Sequence, residues 1–173
     1  DNLIKLEQDR IDNARKSIEP QIKAQNAKIP MYQAQADKEI KQQEKRLQAA
    51  QNRTKADIAQ ANKRLAVLDK DVEAYLKQGT TKGGVFTADV DNVKKGKELR
   101  TEQAPERKKL NDQIAQAKKN EIGVASKVQR EITKINNKLA KQIADVENRV
   151  SEIRKSIQPT IDLANKNIQK HTS

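Results

Sequence analysis

GTTKGGVFTADVDN, residues 79–92, decides how this chain is read. It holds three of the five glycines and the only phenylalanine, and it separates two long stretches that contain almost no helix breakers. Gly79 suits the end of one helix, and Thr87 or Asp89 suits the N-cap of the next. The segment therefore reads as the tip of a helical hairpin, with a small β-like turn around Val85 and Phe86.

The stretch before it, 31–78, has no Gly or Pro. Ile40, Leu47, Thr54, Ala61, Leu68 and Tyr75 recur every seven residues, and Ile58, Leu65 and Val72 fill companion positions. That is a heptad seam on an ascending helix about 70 Å long. The return limb, 93–148, carries Leu110, Ile114, Ala117, Ile122, Ala125, Val128, Ile132, Ile135, Leu139, Ile143 and Val146 as its seam. Ala104-Pro105 marks an expected break within it. Steps of four at Ile135-Leu139-Ile143 and Ile153-Ile157-Ile161 are stutters that locally unwind a left-handed supercoil.

Outside these limbs the chain repeats itself. RIDNARKSIEPQIKAQNAKI (10–29) aligns without a gap to RVSEIRKSIQPTIDLANKNI (149–168), with nine identities that include Pro20 and Pro159. Proline inside a helix removes a donor and crowds the preceding turn, so both copies are expected to kink there. Two arrangements account for the duplication. One is a tandem array in a longer protein, with a period of about 139 residues. The other is a hairpin base whose two limbs lie side by side. Accidental similarity in a chain rich in Lys, Ile and Asn is the third explanation. The chain opens on Asp1 rather than methionine and so reads as a piece of something longer.

The expected architecture is all-α: a long antiparallel coiled-coil helical hairpin with kinked flanking helices, forming an elongated rod. Residues 1–30 are the first kinked helix, 31–78 the ascending helix, 79–92 the tip, 93–148 the return limb and 149–173 its continuation.

Composition fits that reading and narrows function. With 34 % hydrophobic and 35 % charged residues, 173 residues cannot build a thick core. They can build helices that share a narrow seam. Cysteine is absent, which removes disulfides and thiolate metal sites. No stretch nears the roughly 20 apolar residues that span a bilayer. GTTKGG lacks the Gly-Lys-Ser/Thr of a phosphate loop. His171 is a lone terminal histidine. Asp89-Val90-Asp91-Asn92 begins like a calcium loop, but Val93 and Lys94 stand where a ligand and a glycine belong. No catalytic, cofactor-binding or metal-binding set emerges, so the expected role is non-enzymatic.

Two features suggest contact with partners. Val85 and Phe86 put apolar surface at the tip of a polar hairpin, where exposure favours recognition. The net charge of +12 is densest at Lys94, Lys95, Lys97, Arg100, Arg107, Lys108 and Lys109. Glu98, Glu102 and Glu106 interrupt that run. A contact there with nucleic acid or an anionic surface would be of the backbone type and strongly salt-dependent.

Composition and periodicity over the whole chain resemble phage tail tape-measure and related virion proteins. That resemblance implies a helical spacer or scaffold inside a tail tube, a virion component whose length matters more than its surface. The architecture with its tip at 77–92 also resembles the receptor-binding hairpin of colicin-type bacteriocins, which implies recognition of an outer-membrane receptor by the tip. A protein partner or self-association is expected in either case.

Overall fold

The computed structural model describes residues 2–172. The chain is an all-α helical hairpin closed by a two-stranded turn. Its elements are α1 (Asn2–Asn26), α2 (Lys28–Leu76), β1 (Gly79–Lys82), β2 (Val85–Ala88), α3 (Val90–Ser156) and α4 (Gln158–Thr172). By contacts the chain divides into two units: Glu44–Gln129, and the residues up to Gln43 together with those from Arg130 onward.

In the first of these, α2 and α3 run antiparallel with a fixed register. Thr54 Oγ1 donates to the Ala117 carbonyl at 3.3 Å, and Gln103 Nε2 donates to the Leu68 carbonyl at 3.2 Å. Moving two heptads forward along α2 moves two heptads back along α3, so the helices stay in step. Ala61, Leu68 and Leu110 form the core between these two bonds, with Leu65 and Ile114 packed against it. Both hydroxyl and amide sit at seam positions, buried, and both find backbone acceptors across the seam, as buried polar groups must.

The α2 seam follows the sequence pattern, with Leu47, Ile58, Leu65 and Tyr75 half-buried and Thr54, Ala61, Leu68 and Val72 buried. The α3 seam departs from it once. Ile122 is 70 % exposed, while Glu121 and Val124 turn inward. From Ala117, steps of four, three and four reach Val128 through 121 and 124. A step of five to Ile122 leaves the helical face.

In the other unit α1 packs on α4, and Arg154, near the end of α3, lines a surface pocket with Glu19, Ile22 and Asn26. The duplicated segments keep the same inward face. Ile4/Ile143, Glu7/Val146, Ile11/Val150, Ala14/Ile153, Ile18/Ile157, Ile22/Ile161, Gln25/Ala164 and Ile29/Ile168 are all buried or half-buried. Ser17 Oγ donates to the Ala14 carbonyl at 2.6 Å, and Ser156 Oγ to the Ile153 carbonyl at 2.5 Å. These serines close back on the preceding turn in the same way in both copies.

The prolines act differently from one another. α3 runs through Pro105 without the expected break, and α1 runs through Pro20. Both rings lie on exposed faces, where the carbonyls they deprive of a donor, those of Thr101 and Lys16, can bond to water. The helices divide instead at Ala27 and Ile157. Each division comes two or three residues before a proline, Pro30 or Pro159, which then sits in the first turn of the new helix. There its missing N–H would have had no helical acceptor. The first division therefore falls a few residues before the expected boundary between 30 and 31, and the return helix continues past 148 as far as Ser156.

An exposed, two-pronged ion pair between Arg64 and Glu106 bridges the arms. Arg64 Nε reaches Glu106 Oε1 at 2.7 Å and its Nη2 reaches Oε2 at 3.4 Å. The hydrogen bond from Arg64 holds the Glu106 carboxyl below its ordinary range, and the same bond raises Arg64. A lowered carboxylate contributes stability above its unfolded pKa and loses it as pH falls through the folded value. Melting temperatures of wild type and Glu106→Gln should therefore differ slightly at neutral pH and converge as pH drops below about 4. Added salt at neutral pH should shrink the same difference. A gap that persisted at pH 2 would assign the effect to something other than the pair.

Candidate functional site

The tip is built by glycine geometry. Gly83 and Gly84 have φ of 60° and 80°, which L side chains adopt at a cost of about 1–2 kcal/mol each. Two consecutive residues of this kind make the type I′ turn whose twist matches a two-residue hairpin. β1 and β2 pair antiparallel, Gly79 with Ala88 through Lys82 with Val85. At Gly79 a Cβ would collide with the Thr87 carbonyl oxygen and lie 3.0 Å from Phe86 Cε2. The ring of Phe86 thus lies over bare glycine backbone.

Helix ends clamp this hairpin. Asp89 caps α3, its Oδ1 accepting from the Asp91 N–H at 2.9 Å and from Asn92 at 3.4 Å. Of the two N-cap candidates in the sequence, Asp89 performs the role. Asp89 N–H also donates to the Gln78 carbonyl at 3.0 Å. Just below, Gly96 lets the arms approach closely: a Cβ there would stand 3.2 Å from Leu76 Cδ2.

On this frame Val85 is 66 % exposed, Phe86 51 % and Val90 81 %. Val85 and Phe86 are consecutive on β2, so their side chains leave opposite faces of the hairpin and meet only along its edge. Val90 was not among the sequence candidates. As the first residue of α3 it follows the cap and has no seam to face, and its place next to an N-cap was the available signal.

The basic run divides. Lys94, Lys95, Lys97, Arg100, Lys108 and Lys109 are exposed. Arg107 belongs to the seam: its Nε and Nη2 donate to Gln103 Oε1 at 3.2 and 2.9 Å, and its Nη1 reaches Asp69 Oδ1 at 2.7 Å. It orients the glutamine whose amide crosses to Leu68. Pro20 and Pro159 lie in the other unit and take no part in the tip.

Among the described residues no group of three or more His, Cys, Asp or Glu side chains is arranged to hold a metal ion. No described helix is long and apolar enough to cross a membrane. No family model, curated protein or solved structure matches the chain.

Proposed function

We propose that this chain is a non-enzymatic recognition hairpin: two long helical arms whose closed end presents a contact surface, Val85, Phe86 and Val90, to a protein partner. The observation that carries the reading is an ordered turn that leaves its largest apolar side chains outside. Covering Gly79 occupies part of the Phe86 ring, but half of it stays exposed beside an exposed valine, and aromatic side chains anchor protein interfaces more often than most. The arms supply length, which is the part of a spacer or scaffold role that this reading absorbs. A purely length-setting role has the opposite signature, tolerating changes at the tip and failing when a heptad is removed from each arm.

The test places a photo-cross-linking residue at position 86 or at position 122 of the full chain, exposed to an envelope-protein extract. The expected result is a discrete adduct from position 86 only. An excess of unlabelled wild-type chain should compete it away, and a Val85→Ser/Phe86→Ser chain should not. Equal competition by the double variant, or adducts from position 122 alone, would count against the tip as the contact site.

A further inference from the structure

The tip exposes main chain as well as side chains. A two-residue loop between Lys82 and Val85 fixes the hydrogen-bond alternation of the hairpin. Lys82/Val85 and Thr80/Thr87 exchange ladder bonds, while Thr81/Phe86 and Gly79/Ala88 direct their N–H and C=O groups outward. The bond from Asp89 N–H to the Gln78 carbonyl is the next rung of the same alternation. Among the described residues the sheet holds only two strands. The outer donors and acceptors of Phe86 and Ala88 therefore face away from β1 with no third strand beside them.

Natural sheets guard such an edge by keeping it very short or with proline, a bulge, an edge charge or a covering segment, and of these β2 has shortness alone, at four residues. β2, with the sequence VFTA, has no proline and no charge, and its register runs without a bulge. Val, Phe and Thr are also strong strand formers. The opposite edge differs, since β1 carries Lys82 and begins with Gly79.

Charge selects the class of occupant. Residues 77–92 contain Lys77 and Lys82 against Asp89 and Asp91, a balance of zero in a chain with a net charge of +12. A site for a polyanion or an anionic bilayer would concentrate positive charge at the point of contact, and here the excess begins only at Lys94. What a neutral, apolar edge with outward main-chain donors and acceptors complements is another extended backbone.

We propose that β2 is a docking edge for an extended strand of a partner protein, which adds to the hairpin through main-chain bonds at Phe86 and Ala88 while its side chains pack on Val85 and Phe86. This rests on the tip being the contact site and specifies how the contact is made.

The probe is a random dodecapeptide phage library panned against the full chain. The most enriched peptide is synthesised and its affinity measured by fluorescence anisotropy. Ala88→Pro removes an outward N–H from the β2 edge; Thr81→Pro does the same on the β1 edge. Binding should fall at least tenfold in Ala88→Pro and in Val85→Ser/Phe86→Ser, and stay within twofold in Thr81→Pro. In the wild-type chain the peptide should protect the Phe86 and Ala88 amides from hydrogen exchange and leave Thr81 unprotected, a readout that needs no variant to fold. If the double serine variant loses binding while Ala88→Pro keeps it and the two amides stay unprotected, strand addition is wrong and tip recognition stands. Loss confined to Thr81→Pro overturns the choice of edge. Undiminished binding by every variant overturns both readings.

Discussion

Val128→Asp is expected to destabilise the chain by about 3 kcal/mol, and Ile122→Asp, six residues earlier on the same helix, by less than about 0.5 kcal/mol. Val128 is 2 % exposed in the α3 seam, whereas Ile122 is 70 % exposed. A carboxylate at 128 loses its hydration with no built partner to replace it. At 122 it stays in water and replaces an apolar side chain that contributes little burial. For a chain of this length the difference corresponds to roughly 6–12 °C in melting temperature, readable by circular dichroism on two variants that each place one aspartate on α3. Equal losses at both positions would place Ile122 in the seam after all.

The second large effect is local. Gly79→Val inserts a branched side chain where even a single Cβ meets the Thr87 carbonyl and the Phe86 ring. The Phe86 ring can swing aside, but the Thr87 carbonyl oxygen and the Ala88 Cα are backbone of the paired strand and cannot. A two-stranded hairpin is marginal in water even when unstrained, and overpacking costs about 1–3 kcal/mol, so the variant should lose the β1–β2 pairing. Amide exchange at Thr80, Lys82, Val85 and Thr87 should approach unprotected rates while α2 and α3 stay helical. Protection unchanged from wild type would contradict the close fit at Gly79. The same variant should lose the tip contact even though Val85 and Phe86 are still present.

These two experiments fall on opposite sides of what sequence pattern can reveal. The α2 seam was legible because burial on a helix repeats with the helix period, and Leu47, Thr54, Ala61, Leu68 and Tyr75 keep that period without interruption. Ile122 misled because apolarity was given more weight than phase, although its spacing from Ala117 already excluded it. Gln103 and Glu7 were invisible to an apolar search, yet both stand at seam positions. Gln103 is one heptad before Leu110, and Glu7 matches Val146 in the duplicated segment. Phase would have found them. The prolines were legible in part: the helix divides just before Pro30 and Pro159 but runs through Pro20 and Pro105. All four rings face solvent, so exposure alone does not decide which of them the helix runs through.

The tip was legible in part. Three glycines and an N-cap aspartate announced a reversal, and Val85 with Phe86 marked its apolar end. The strand register and the outward main-chain groups follow from the positive φ of Gly83 and Gly84, which composition alone does not specify. Arg107 shows the reverse error. Counted as one more cation in a basic run, it is held in the seam by Gln103 and Asp69.

The central claim is that one chain folds back on itself, so that its own α2 and α3 satisfy the seam and residues 79–92 form a closed tip. The protein has no cysteine of its own, so an Ala61→Cys/Leu110→Cys chain tests this without background. Both positions lie in one buried cluster, midway between the Thr54–Ala117 and Leu68–Gln103 bonds. Mild oxidation at low micromolar concentration should give a monomer with an internal disulfide, faster on a non-reducing gel and restored by reductant. Disulfide-linked dimers as the main product, with no internally bridged monomer, would mean that the seam is shared between chains and that the hairpin account is wrong.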